Sequence, residues 1–145
     1  KKVVNGMLQS LLYTALSAYK TRNMYTAVKH SRNDEIFFNF FTLLEHNFRE
    51  QRSVQFYADK LCITPKHLST VVKNVSGKTA GAWIDGYVIL TAKVMLRSSA
   101  STIQEISVAL NFPNQSFFGK FFKQHVGVSP REYRLKNEGD AQENE

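Results

Sequence analysis

One cysteine, three prolines and seven glycines are spread over 145 residues. A lone thiol cannot form an internal disulfide, so Cys62 reads as a small apolar residue and a cytosolic compartment fits. So few breakers leave room for long, uninterrupted elements. The strict apolar–polar alternation of half-buried strands is scarce. No apolar run approaches the roughly 18 residues that a membrane helix requires, and no secretory leader is visible. His30, His46, His67 and His125 lack metal-ligand spacing. Neither a phosphate-cradling glycine loop nor a nucleophile motif occurs. An enzyme, a bound metal, a cofactor and a membrane partner are therefore not expected. The chain opens at Lys1 without a methionine, and it is expected to be part of a longer protein.

What the sequence does have is helical periodicity and positive charge. The hydrophobic fraction is 43%, ordinary for a folded domain and too high for a disordered one. The last ten residues set one lysine against Glu138, Asp140, Glu143 and Glu145, a net of −3, so the rest of the chain carries +10 and the whole +7. A basic body with an acidic tail suggests a polyanionic partner, although solubility alone is the plainer explanation. Val4, Met7, Leu8, Leu11, Leu12, Ala15 and Tyr19 mark an amphipathic helix over about residues 3–20, followed by a basic linker. A second helix presents Phe37, Phe40, Phe41, Leu44 and Phe48, with Asn33 or Asp34 as its expected cap.

From Ser53 onward the chain repeats itself. Residues 53–63 match 102–112 at an offset of 49, with Ser53 opposite Thr102, Gln55 opposite Gln104 and Leu61 opposite Leu110. The offset then becomes 50, placing Leu68 opposite Phe118, Val72 opposite Phe122, Lys73 opposite Lys123 and Gly77 opposite Gly127. Each unit reads as helix, tight turn, helix, over about 53–78 and 102–127. Ser53 or Thr102 caps the first helix, and Glu105 completes a capping box with Thr102. A glycine stops the second helix. Residues 79–97 form a long linker helix with two apolar stripes. Ile84, Val88 and Met95 mark one stripe; Trp83, Tyr87, Leu90 and Val94 mark the other. Such a helix can pack against both units at once.

Helix, short turn, helix is the DNA-reading arrangement whose second helix enters the major groove. In the second unit Phe117, Phe118, Phe121 and Phe122 fall on one broad face, read as the anchor. Ser116, Gly119, Lys120 and Lys123 gather opposite. Ser116 and Lys120 can bond to base edges, Gly119 admits a close backbone approach, and Lys123 suits a phosphate. The offset carries this face to Lys66, Ser69, Thr70 and Lys73 in the first unit. Lys78, Arg97, Arg131 and Arg134 are further phosphate candidates, with a solubilising role equally open to each. A helical module that binds an acidic protein through the same faces remains the alternative at this point.

Residues 58–84 (ADKLCITPKHLSTVVKNVSGKTAGAWI) and 101–134 (STIQEISVALNFPNQSFFGKFFKQHVGVSPREYR) resemble the DNA-binding domain of AraC/XylS-family bacterial transcription regulators. The second stretch follows that family's turn, its F-x-x-x-F-K helix and its G-x-[ST]-P-x-x-[FY]-R close. The resemblance covers about Asp34 to Arg134. It implies an all-α fold of two helix-turn-helix units joined by a long helix, reading nearby major-groove segments on one DNA face to regulate transcription. It implies base contacts from Lys66, Ser69 and Thr70, and from Gln115, Ser116, Gly119 and Lys120. Residues 33–135 would be the double DNA-binding domain. Residues 1–32 would be the tail of a sensing or dimerisation region, with a helix folded back on its own domain equally open, and 136–145 a disordered acidic tail. Double-stranded DNA is the implied partner in the bacterial nucleoid. RNA polymerase and a second copy, joined through the N-terminal region, are further candidates. The family's turn glycine is replaced by Cys62 and Asn111, and neither face carries arginine, the commonest guanine partner. The first face is therefore expected to lean on DNA shape and phosphate contacts.

Overall fold

The computed structural model describes residues 31–142, which are helical and carry no strand. The helix expected at 3–20 and most of the linker after it lie outside the described residues. The first helix, α1 (Arg32–Asn47), begins ahead of both expected caps, Asn33 and Asp34. Ser31 is the N-cap: its hydroxyl accepts from the Asp34 amide while the Asp34 carboxylate accepts from the Ser31 amide. Asp34 thus serves as the third-position partner of a capping box rather than as the cap itself.

Two helix pairs follow, α2 (Val54–Lys60) with α3 (Pro65–Ser76), and α5 (Ile103–Ala109) with α6 (Gln115–Val126). Between the pairs runs α4 (Ala80–Ser98), and α7 (Pro130–Gln142) closes the described chain. Each helix from α2 to α6 starts on a side-chain oxygen that satisfies an otherwise unpaired amide: Ser53, Thr64, Thr79, Thr102 and Asn114. The capping box of Thr102 with Glu105 is present.

The internal repeat holds down to single hydrogen bonds. In the first unit the Ile63 amide donates to the Ala58 carbonyl (3.0 Å) and the Cys62 amide to Asp59 (3.1 Å). In the second, Phe112 donates to Ser107 (2.9 Å) and Asn111 to Val108 (3.0 Å). Both are the paired bonds of a Schellman helix stop, which requires a left-handed residue after the cap. Cys62 and Asn111 supply it at φ +56° and +57°. Gly77 and Gly127 end α3 and α6 in the same left-handed region, each donating 2.8 Å to the lysine four residues back.

The core is shared through α4, which packs on α3 in the first unit and on α5, α6 and α7 in the second. Ile84, Val88, Ala92 and Leu96 are sealed along its inner side. Phe40, Leu44, Tyr57, Leu68 and Val72 complete the core on one flank, and Ile106, Leu110, Phe118 and Phe122 on the other. Burying each such apolar side chain contributes on the order of 1.5–3 kcal/mol. The second stripe of α4 is only partly a packing face. Trp83 and Tyr87 meet the Phe41 ring of α1 at 4.9 and 6.4 Å, but Leu90 remains 39% exposed. The tail also departs from expectation, since α7 carries residues 136–142 as helix instead of disorder. Asn137 reinforces it by donating from Nδ2 to the Tyr133 carbonyl one turn back (2.6 Å).

A left-handed backbone costs an ordinary L-residue about 1–2 kcal/mol, and asparagine less than most. Cys62→Gly should therefore raise stability by up to about 1 kcal/mol, once the greater unfolded freedom of glycine is subtracted. Urea denaturation checks this; a loss of stability would mean that the cysteine side chain contributes packing that outweighs its backbone strain.

Candidate nucleic-acid interface

A helix that reads DNA needs its apolar side held by the domain and its polar side free. On α6, Phe118 and Phe122 are fully buried, and the Phe118 ring contacts the rings of Phe112 (5.3 Å) and Phe122 (5.9 Å). Phe121 is half-buried against the same core. Phe117 is not part of the anchor: it is 59% exposed. It is the immediate neighbour of Phe118, a rotation of about 100°, and this carries its ring off the buried arc. The repeat held the clue, because Phe117 aligns with His67, which is also exposed.

The opposite side of α6 stands open. Gln115, Ser116, Lys120 and Lys123 are exposed and Gly119 is half-exposed. A methyl group built at Gly119 would meet nothing within 4 Å, so the fold itself does not require glycine there. On α3, Lys66, Thr70 and Lys73 are exposed and Ser69 is half-buried. The Thr70 hydroxyl donates to the Lys66 carbonyl (2.8 Å), which leaves its lone pairs outward. Both helices thus present the polar residues that the sequence singled out, each on the second helix of its unit.

The remaining basic residues differ in availability. Arg131 is exposed on the first turn of α7. Lys78 lies 5.2 Å from the Trp83 ring and Arg97 5.2 Å from the Tyr133 ring, both with exposed side chains. Arg134 does not fit the free phosphate-binding role expected of it. Its Nε donates to the Leu96 carbonyl (3.0 Å) and its Nη2 to the Ser101 carbonyl (2.7 Å), so it ties α7 to the end of α4. Leu96 lies in the last turn of α4, where carbonyls lack helical partners, Ser101 lies in the connection to α5, and a planar guanidinium spans both. Near Lys123, the Glu132 carboxyl is held below its usual range, first by hydrogen bonds from the Ser129 amide and hydroxyl, with Lys123 and Lys136 adding to the effect. Among the described residues no group of histidine, cysteine or carboxylate side chains could hold a metal ion. No described helix is long and apolar enough to cross a membrane.

Sequence reading missed the contacts made by Arg52, Asn111 and His125. His125 belongs to α6 but reaches the linker helix, with Nε2 3.3 Å from the Asp85 carboxylate. Arg52 crosses from the first unit to the carbonyls of Leu110 and Asn111 in the second. It falls opposite Ser101 in the repeat, so the duplication gave no counterpart to mark it.

Two helix-turn-helix units on a common linker helix define a class of DNA-binding proteins. Residues 57–136, more than half of the chain, match the family described as a helix-turn-helix domain. The chain belongs to that family, in its AraC type, the DNA-binding domain of bacterial transcription regulators. It is 26% identical over 99 residues to the HTH-type transcriptional activator RhaS of Escherichia fergusonii, covering 68% of this chain and 36% of the activator. It is 29% identical over 77 residues to the arabinose operon regulatory protein of Escherichia coli K12, covering 53% of this chain and 26% of that regulator. The chain thus spans well under half the length of both. In fold it is similar to the C-terminal domain of AraT, a response regulator from Geobacillus stearothermophilus, at a TM-score of 0.66 and 26% identity, covering 73% of this chain and 88% of that one. The DNA-binding domain of AdpA, solved in complex with a target DNA, shares the fold at a TM-score of 0.62 and 20% identity, covering 74% of this chain and 94% of that one.

Two contrasts check how the exposed face is built. Phe118→Ala should lower stability by about 3–5 kcal/mol by opening a core cavity, while Phe117→Ala should stay within about 1 kcal/mol of the parent in urea denaturation. Arg134→Ala should destabilise by about 1–3 kcal/mol through the two carbonyls it leaves unpaired, and should leave the salt dependence of DNA binding unchanged. A shallower salt slope with stability intact would restore its phosphate role.

Proposed function

We propose that α3 and α6 enter successive major-groove segments of one duplex and that the chain is the operator-reading part of a transcription regulator. The observation that carries this reading is the pair of exposed polar faces, each on the second helix of a helix-turn-helix unit whose other side is sealed in a common core. Lys66, Ser69 and Thr70 contact bases from α3, as Gln115, Ser116, Gly119 and Lys120 do from α6. Lys73, Lys78, Arg97, Lys123 and Arg131 meet phosphates. The vacant space at Gly119 supports this assignment, since a side chain there would stand between the helix and the base edges. Without arginine on either face, lysine and hydroxyl contacts carry the direct readout, and sequence-dependent DNA shape supplements the first site.

In this reading residues 33–135 form the operator-reading domain. The region before it belongs to a sensing or dimerising part, through which two copies pair, and RNA polymerase is the downstream partner in the bacterial cytoplasm. The salt response is the primary test. Log affinity should fall linearly with log salt through counterion release, and a duplex selected from random DNA should hold its preference against competitor DNA. Equal binding to selected and random duplexes would instead favour a module that binds an acidic protein.

The two faces also separate by residue. Lys120→Ala should cost about 1–3 kcal/mol on the selected duplex and relax preference at one position. Lys123→Ala should weaken every duplex alike and lower the salt slope by about one. Identical behaviour of the two variants in fluorescence titrations would break the division into base reader and phosphate holder.

A further inference from the structure

Arg52 lies between α1 and α2 in the first unit, yet its partners are 58 and 59 residues away in the second. Its Nη1 donates to the Leu110 carbonyl (2.5 Å) and its Nη2 to the Asn111 carbonyl (2.6 Å). The guanidinium also sits over the Phe112 ring, 4.1 Å from its centroid. Leu110 is the C-cap of α5, so these carbonyls lie at the negative end of that helix and suit a planar cation. Asn111 replies in the opposite direction, with Nδ2 donating to the Glu50 carbonyl (3.1 Å). Burial lowers the pKa of Arg52, and Asp85 of α4 acts against that shift. Arginine remains charged throughout the usable pH range.

Leu110, Asn111 and Phe112 belong to the turn that aims α6. The first unit therefore grips the second by the segment that orients its recognition helix. Each unit retains its own buried side chains without this grip, and α4 still joins them. What the contact adds is restraint on their mutual orientation.

We propose that Arg52 is a specificity-determining positioning residue: by holding the α5–α6 turn against the first unit, it fixes the separation of the two recognition helices and so sets the half-site spacing that the protein accepts. The proposal rests on the reading of α3 and α6 as DNA-reading helices. Adding one base pair between half-sites moves them about 3.4 Å apart and rotates them by about 35°, which a rigid pair tolerates poorly and a loosened pair absorbs.

The test measures binding of the whole chain to its selected duplex and to duplexes with one or two base pairs inserted or removed between the half-sites. The parent should lose about tenfold or more in affinity per base pair of altered spacing. Arg52→Ala and Arg52→Lys should lose less than about threefold per base pair, with half-site sequence preference retained. Asn111→Gly keeps the left-handed turn but removes the bond to Glu50, and should flatten the same profile in part. Should the alanine variant fail to fold in a thermal melt, the lysine and glycine variants decide by the same profile. A parent-like profile in the folded variants overturns the proposal. So does an unchanged profile with a salt slope reduced by about one, which would make Arg52 a phosphate contact. If the parent itself prefers no duplex, the DNA-reading assignment fails and the proposal falls with it, an outcome visible before any variant is compared.

Discussion

The double burial of α4 is the constraint on which the rest of the architecture depends. Neither helix-turn-helix pair is large enough to enclose its own apolar side chains, because α2 and α5 are each seven residues long. Ile84, Val88, Ala92 and Leu96 complete both cores from one continuous element. Nineteen residues of helix span roughly 28 Å, a distance comparable to one turn of DNA. The linker is therefore a structural member, and its small residues, Ala80 and Ala92, are sealed where neighbouring helices pack. Removing it would leave two clusters below the size at which an isolated core becomes stable.

Duplication supplies the symmetry and divergence supplies the asymmetry. The two turns share one hydrogen-bond scheme although one is built on cysteine and the other on asparagine. The asparagine tolerates its backbone and uses its side chain to reach Glu50. The cysteine does neither, and its thiol is exposed. The faces diverge as well. The second offers a glycine and two lysines flanked by an exposed phenylalanine, while the first offers hydroxyls between lysines. Under the proposed function, two faces of different chemistry suit an asymmetric site.

Local rules made most of this fold legible in the sequence. Within the described residues, the helix periods, the capping box at Thr102 and the glycine stops at Gly77 and Gly127 depend on neighbours within a few residues, and each appears where the sequence places it, as does the repeat. Most of the failures come from contacts between distant parts of the chain, and the Ser31 cap, three residues from Asp34, is the local exception. Phe117 reads as part of the anchor because a four-residue aromatic set makes a wide arc, and only packing reveals which edge lies outside it. Arg134 reads as a free cation in the sequence, and the carbonyls of Leu96 and Ser101 claim it in the fold. Arg52 gave no sequence signal, since its partners lie in the other unit. Ser31 is hidden as the cap because Asn33 and Asp34, equally able to cap, stand nearer the apolar run. The exposed polar faces of α3 and α6 are legible in the sequence because the offset of the repeat carries one face onto the other.

Hydroxyl-radical footprinting on a duplex selected from random DNA tests the central claim most directly. Two readers fixed on a common linker should leave two protected stretches on one face of the duplex, centred about 10–10.5 base pairs apart. A single protected stretch, or two on opposite faces, would contradict the account.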